Sequence, residues 1–208
     1  MRKLLSILAS AVLLAVAASS GVQAASPHQV DPAAMVPPLN PAFNPWICTD
    51  TGAGPICRGN LTDSWSGADT GLACGDRPIY TTGSFQSSGT RWHLPDGRAT
   101  HTVFQDKDVE VWSLSPTGAG PILNVSFQWI EHFDYPIPGD RSTRVATSTG
   151  SYWQVTAPGH GLVWHDVGLV EFAPGSGDQI VLSHGPTDSN YGNLDIVFPK
   201  ACDILVNG

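Results

Sequence analysis

The sequence predicts an all-β protein, a two-sheet antiparallel sandwich of jelly-roll or Greek-key type, stapled by disulfides; a small β-barrel is the alternative. Three observations predict it. Residues 121–133 alternate strictly, with Leu123, Val125, Phe127, Trp129 and Phe133 on one parity and Asn124, Ser126, Gln128 and His132 on the other, the mark of a half-buried strand. Residues 167–184 read as a hairpin, two β-branched runs joined by Ala-Pro-Gly-Ser-Gly-Asp. The composition is rich in Gly, Pro, Thr, Ser and Trp and poor in Lys and Glu, the profile of strands joined by tight turns.

The chain begins with a basic start, Arg2-Lys3, a run of apolar and small residues from Leu4 to Ala18, and a small-x-small site at Val22-Gln23-Ala24. Residues 1–25 therefore read as a secretory signal peptide. The expected destination is extracellular and oxidising. No second apolar run of spanning length follows, so no membrane insertion is expected after cleavage.

Residues 26–45 carry six prolines, which exclude helix and central strand and predict an extended arm. Residues 46–208 read as one β domain, opening with a turn-rich, cysteine-containing region at 46–76. Beyond it the patterning predicts strands at 78–86, 89–94, 99–105, 108–114, 121–133, 143–149, 151–157, 161–165, 167–173, 178–184 and 194–199, and no amphipathic helix.

Cys48, Cys57, Cys74 and Cys202 allow three connectivities. Cys48–Cys57 with Cys74–Cys202 is favoured, because the first closes a short glycine-rich loop and the second ties the chain's end to the start of the β region. No Cys-x-x-Cys pair occurs, so disulfides are expected rather than a metal or redox site.

Charge excludes some partners. The net charge is −8, and removal of Arg2 and Lys3 makes it −10. So acidic a chain repels phosphate backbones and anionic lipids, and nucleic acid is not an expected partner.

Motifs for chemistry are sparse. There is no Gly-x-Ser-x-Gly elbow and no phosphate-cradling glycine loop, and no cofactor is expected. Glu131 falls on the apolar parity of its strand, where a carboxylate must be paired, protonated or facing a cleft. Paired with Asp134 or Asp166 it would serve glycoside hydrolysis, which needs two carboxyls flanking the bond; paired with Arg141 or Arg144 it would be structural. His132 and Asp134 share a face and are the weak metal candidates, with no recognised metal-site spacing around them. Trp46 and Trp65, in the turn-rich region, are the candidate aromatic platforms for a sugar. Together these features favour a non-enzymatic extracellular binding module for a glycan or cell-envelope component. A carbohydrate-active hydrolase and a structural envelope protein without ligand are the alternatives.

Overall fold

A computed structural model describes residues 28–176, 179–190 and 192–208. The expected signal peptide, 1–25, lies outside them. The described chain is nearly all β, and its strands form one antiparallel sheet in the order of the sequence. They are β1 (His28–Val30), β2 (Ile47–Asp50), β3 (Pro55–Cys74), β4 (Arg77–His93), β5 (Ala99–Ser113), β6 (Ile122–Asp134), β7 (Val145–Ala157), β8 (Gly161–Phe172) and β9 (Ile180–His184). One helix, α1 (Leu194–Asn207), follows. Every strand pairs with its sequence neighbours, so the connectivity is a meander, not a Greek key or jelly roll. The expected two-sheet sandwich is replaced by one sheet, and the barrel alternative also fails, because no pairing among the described residues joins the β1 edge to the β9 edge.

The difference has a local cause. Strands expected in pairs are single long strands. The expected breaks near Ser87, Asp106, Gly150 and Asp166 fall inside β4, β5, β7 and β8. Polar and glycine residues there look like turn chemistry. All four instead occupy mid-strand positions on one face. The region 46–76, expected to be irregular, holds β2 and β3, the latter 20 residues long. Its glycines absorb register shifts rather than ending the strand. Gly67 and Gly71, at φ +62° and +74°, sit at the two shifts against β4, where only glycine adopts that backbone without strain.

Side-chain alternation and register divide the sheet into two faces. The inner face takes Ile79, Ser87 and Arg91 of β4, Thr102, Asp106 and Trp112 of β5, and Leu123, Val125 and Glu131 of β6, joined by directly opposed pairs such as Ser87↔Asp106 and Trp112↔Leu123. Two separate covers pack on it. At one end α1 lays Val197, Ala201, Ile204 and Leu205 over Ile79, Trp112, Leu123, Val125, Val155 and Trp164. That spacing is helical, whereas residues 194–199 were expected as a strand. Its β-branched residues and Pro199 hide the helix period. At the other end the proline-rich arm places Met35, Phe43 and Trp46 against Cys48 and Cys57. The Arg91 guanidinium fastens the arm by donating to the Pro37 carbonyl at 2.9 Å.

Both disulfides have the favoured pairing, Cys48–Cys57 and Cys74–Cys202. The first links directly opposed residues of β2 and β3. The second ties the end of β3 to α1 across 128 residues of sequence.

Trp46 needs glycine beneath it. A Cβ at Gly59 would lie 2.8 Å from the Phe43 carbonyl oxygen and 2.9 Å from the Trp46 indole, and one at Gly89 would lie 2.8 Å from the Phe104 ring. G59A should therefore lower stability by about 1–3 kcal/mol, read by urea denaturation; an unchanged midpoint would show that the arm does not depend on this seat. Removing the long-range bridge in a C74A/C202A variant should cost about 3–5 kcal/mol by the same measurement.

Candidate functional site

Between the two covers the inner face is lined by acids. Alternation along β5 puts Asp106, Asp108 and Glu110 on the face that also holds Phe104 and Trp112, and Glu131 of β6 stands directly opposite Phe104. Asp106 is 7% exposed. Asp106 and Glu131 line one cavity of about 300 Å³, walled by Phe43, Leu61, Phe85, Phe104 and Trp129, with Asn40 at its rim. Asp106 opposes Trp129 directly, so Glu131 occupies its diagonal cross-strand position, about 7 Å away.

Asp106, Asp108 and Glu131 are each shifted upward. Burial pushes Asp106 above the usual carboxylate range. Burial, and then the charge of Asp106, does the same to Glu131, while Arg144 and a hydrogen bond from Trp129 pull the other way. Asp108 is pushed up to about 7, first by burial, then by the charge of Glu110 and a hydrogen bond with it. Glu110 is held by its neighbours: it accepts from the Thr81 hydroxyl at 2.8 Å and from the Trp112 indole N–H. Asp108 therefore keeps its proton to near neutral pH.

The other face of the same strands is different. Asn60, Ser88, Gln105 and Ile130 form one cross-strand row, and Thr62, Gln86, Lys107 and Gln128 the next. All eight are exposed. They line an open depression of about 420 Å³. The eight outward side chains are mostly amides and hydroxyls, with a single charge among them, Lys107.

The residues singled out in the sequence scatter. Glu131 faces the inner cavity, as its parity implied. Asp134 lies on the opposite face, where it accepts from or shares a proton with His101 Nδ1 at 2.7 Å. His132 is on that outer face too, with its ring 5.6 Å from His101. Among the described residues no group of three or more His, Cys, Asp or Glu is placed to hold a metal. Asp166 is fully buried and committed: its carboxylate accepts from the Thr187 hydroxyl at 2.7 Å and the backbone N–H groups of Asp188 and Ser189 at 2.7 and 2.9 Å, and from the Ser189 hydroxyl. It pins the 186–190 loop. Neither Asp134 nor Asp166 joins Glu131; Asp106 does. Arg141 reaches the Pro38 carbonyl, and Arg144 lies over the Phe133 ring at 4.5 Å.

Trp46 is buried in the arm core and donates to the Asn40 carbonyl at 2.7 Å. Trp65 is half-buried and donates to Thr81. None of the seven tryptophans is exposed; Trp65, Trp92, Trp129 and Trp153 are half-buried. Asp106, Asp108 and Glu110 were missed as a set. The signal was their period-two spacing, Asp-Lys-Asp-Val-Glu, running into Trp112.

Fold and site together define a disulfide-stapled antiparallel meander with an acidic strip on its inner face and an amide- and hydroxyl-rich patch on its outer face. Comparison with protein-family models, curated proteins and solved structures finds no match. Two disulfides fit an oxidising environment, and among the described residues no helix is long and apolar enough to cross a membrane.

The raised acids fix the sign of the pH dependence. A carboxyl whose folded pKa exceeds its unfolded value favours the folded state while protonated, and that advantage is lost as pH rises through the folded pKa. For Asp108 the window runs from about 4 to about 7. After discounting for solvent screening of a partly exposed group, the loss is about 1–2 kcal/mol. The melting temperature should fall by about 2–8 °C between pH 5 and pH 8, and D108N should remove much of that fall; a melting temperature that rises over this range would contradict the assignment.

Proposed function

We propose that this protein is an extracellular, non-enzymatic binding module that holds a neutral glycan on the outer face of β3–β6. One observation carries the reading: two adjacent rows of amide and hydroxyl side chains cross four strands in a single depression, with one charge among them. Exposed sheet faces ordinarily mix charges of both signs. Amides and hydroxyls, each able to donate or accept, match the hydroxyls of an uncharged sugar. Ile130, 38% exposed, offers an apolar contact for the C–H side of a ring. Export through the leader would place such a surface among extracellular polysaccharides. The net charge of −8 disfavours acidic ones.

Glu131 meets neither Asp134 nor Asp166, the partners the hydrolase reading named, but it shares its cavity with Asp106, so turnover is the outcome the test must exclude. The test is retention of the purified protein on soluble neutral polysaccharides (β-glucan, mannan, xylan and starch) in affinity gels, with polygalacturonate as the acidic control. One or more neutral polymers should retard it, and Q86A/Q128A should weaken that by about tenfold or more, as loss of two hydrogen-bonding groups implies. Retardation by none of them overturns the reading. Release of reducing ends that is lost in E131Q would replace it with the hydrolase.

A further inference from the structure

The inner cavity is a second site, on the opposite side of the sheet from the proposed glycan face. We propose that it binds a small organic ammonium ion, seated between the Asp106 and Glu131 carboxyls and the rings of Phe43, Phe85, Phe104 and Trp129.

Two features point to a cation. Asp106 and Glu131 share the cavity, and among the described residues neither forms a direct salt bridge; the charge of Arg144 acts on Glu131 without a direct ion pair, and its guanidinium lies over Phe133. The walls are aromatic, and the faces of aromatic rings attract positive charge. Carboxyl and ring thus favour the same sign of ligand charge, and a desolvated cation over a ring is bound more strongly than an exposed one.

The cavity volume, about 300 Å³, admits a small organic ammonium ion such as choline. The acidic surface would steer a cation toward it.

The probe is choline, compared by isothermal titration with its uncharged isostere 3,3-dimethylbutan-1-ol at pH 8, where the carboxyls are most ionised. Choline should bind at least tenfold more tightly than the isostere. D106N, which removes one negative charge without loss of volume, should weaken choline about tenfold, and E131Q should do likewise. Q86A/Q128A, on the other face, should leave choline binding unchanged, so failure of the glycan reading leaves this one standing. Equal affinity for choline and the alcohol, no binding of choline to folded wild-type protein, or binding unaffected by both D106N and E131Q would each overturn it.

Discussion

A single open sheet cannot bury its own inner face. In a sandwich the second sheet does this, and in a barrel the curl does. Here two unrelated segments share the task. The proline-rich arm covers one end through Phe43 and Trp46, and α1 covers the other through Val197, Ala201, Ile204 and Leu205. Each cover is held down. Arg91 bonds the arm's carbonyls and Cys48–Cys57 ties β2 to β3, while Cys74–Cys202 ties the helix to the sheet. The arm's Phe43 forms one wall of the strip between them, where Asp106 and Glu131 stand, so the acidic cavity follows from how the sheet is covered.

The all-β class and both disulfides were legible in the sequence. Alternation in β6 ran over most of the strand, with Glu131 as its exception, and the cysteine spacing favoured one pairing. The sheet arrangement was not legible, for a physical reason. Ser87, Asp106, Gly150 and Asp166 are residues that turns use, and each interrupts an otherwise good strand. They sit mid-strand because the inner face is not a uniform apolar core. Asp166 is buried to anchor a loop, and Asp106 borders a cavity. The helix was hidden for the complementary reason. Its apolar residues recur at helical spacing, but they include Ile196, Val197 and an interior Pro199, which local propensity assigns to strand or loop. Packing and a disulfide override that preference.

The site was half legible. Glu131 stood out because its parity was apolar, and the structure places it facing a cavity. Its partners could not be chosen by distance along the chain. Asp134 is three residues away and therefore on the other face. Asp106 is 25 positions earlier and adjacent, because β5 and β6 pair in that register. The β5 acids were harder still. In Gln105-Asp-Lys-Asp-Val-Glu-Val the valines look like the inward set. Instead Val109 is 48% exposed and Asp106 is buried. The phase of that strand is fixed by its ends: Phe104 packs on Phe43 and Trp112 on the helix cluster, and both have the parity of the acids. Two large aromatic anchors outweigh two valines in the area they remove from water.

That phase choice ties the two faces together. A one-residue slip of β5 would send Asp106, Asp108 and Glu110 to solvent and relieve their desolvation, but it would expose Phe104 and Trp112 as well. The aromatic anchors therefore impose the buried acids, and the same step imposes the outer row, since Gln105 and Lys107 face outward only while Asp106 faces in. Apolar burial at the strand's two ends thus sets both the negative charge inside and the neutral polar surface outside. A bound cation would offset part of the electrostatic cost without altering the register. The inner cavity and the outer depression are consequences of one strand alignment, and a substitution that shifted β5 would abolish both together, whereas one that only removes a carboxyl or an amide leaves the opposite face intact.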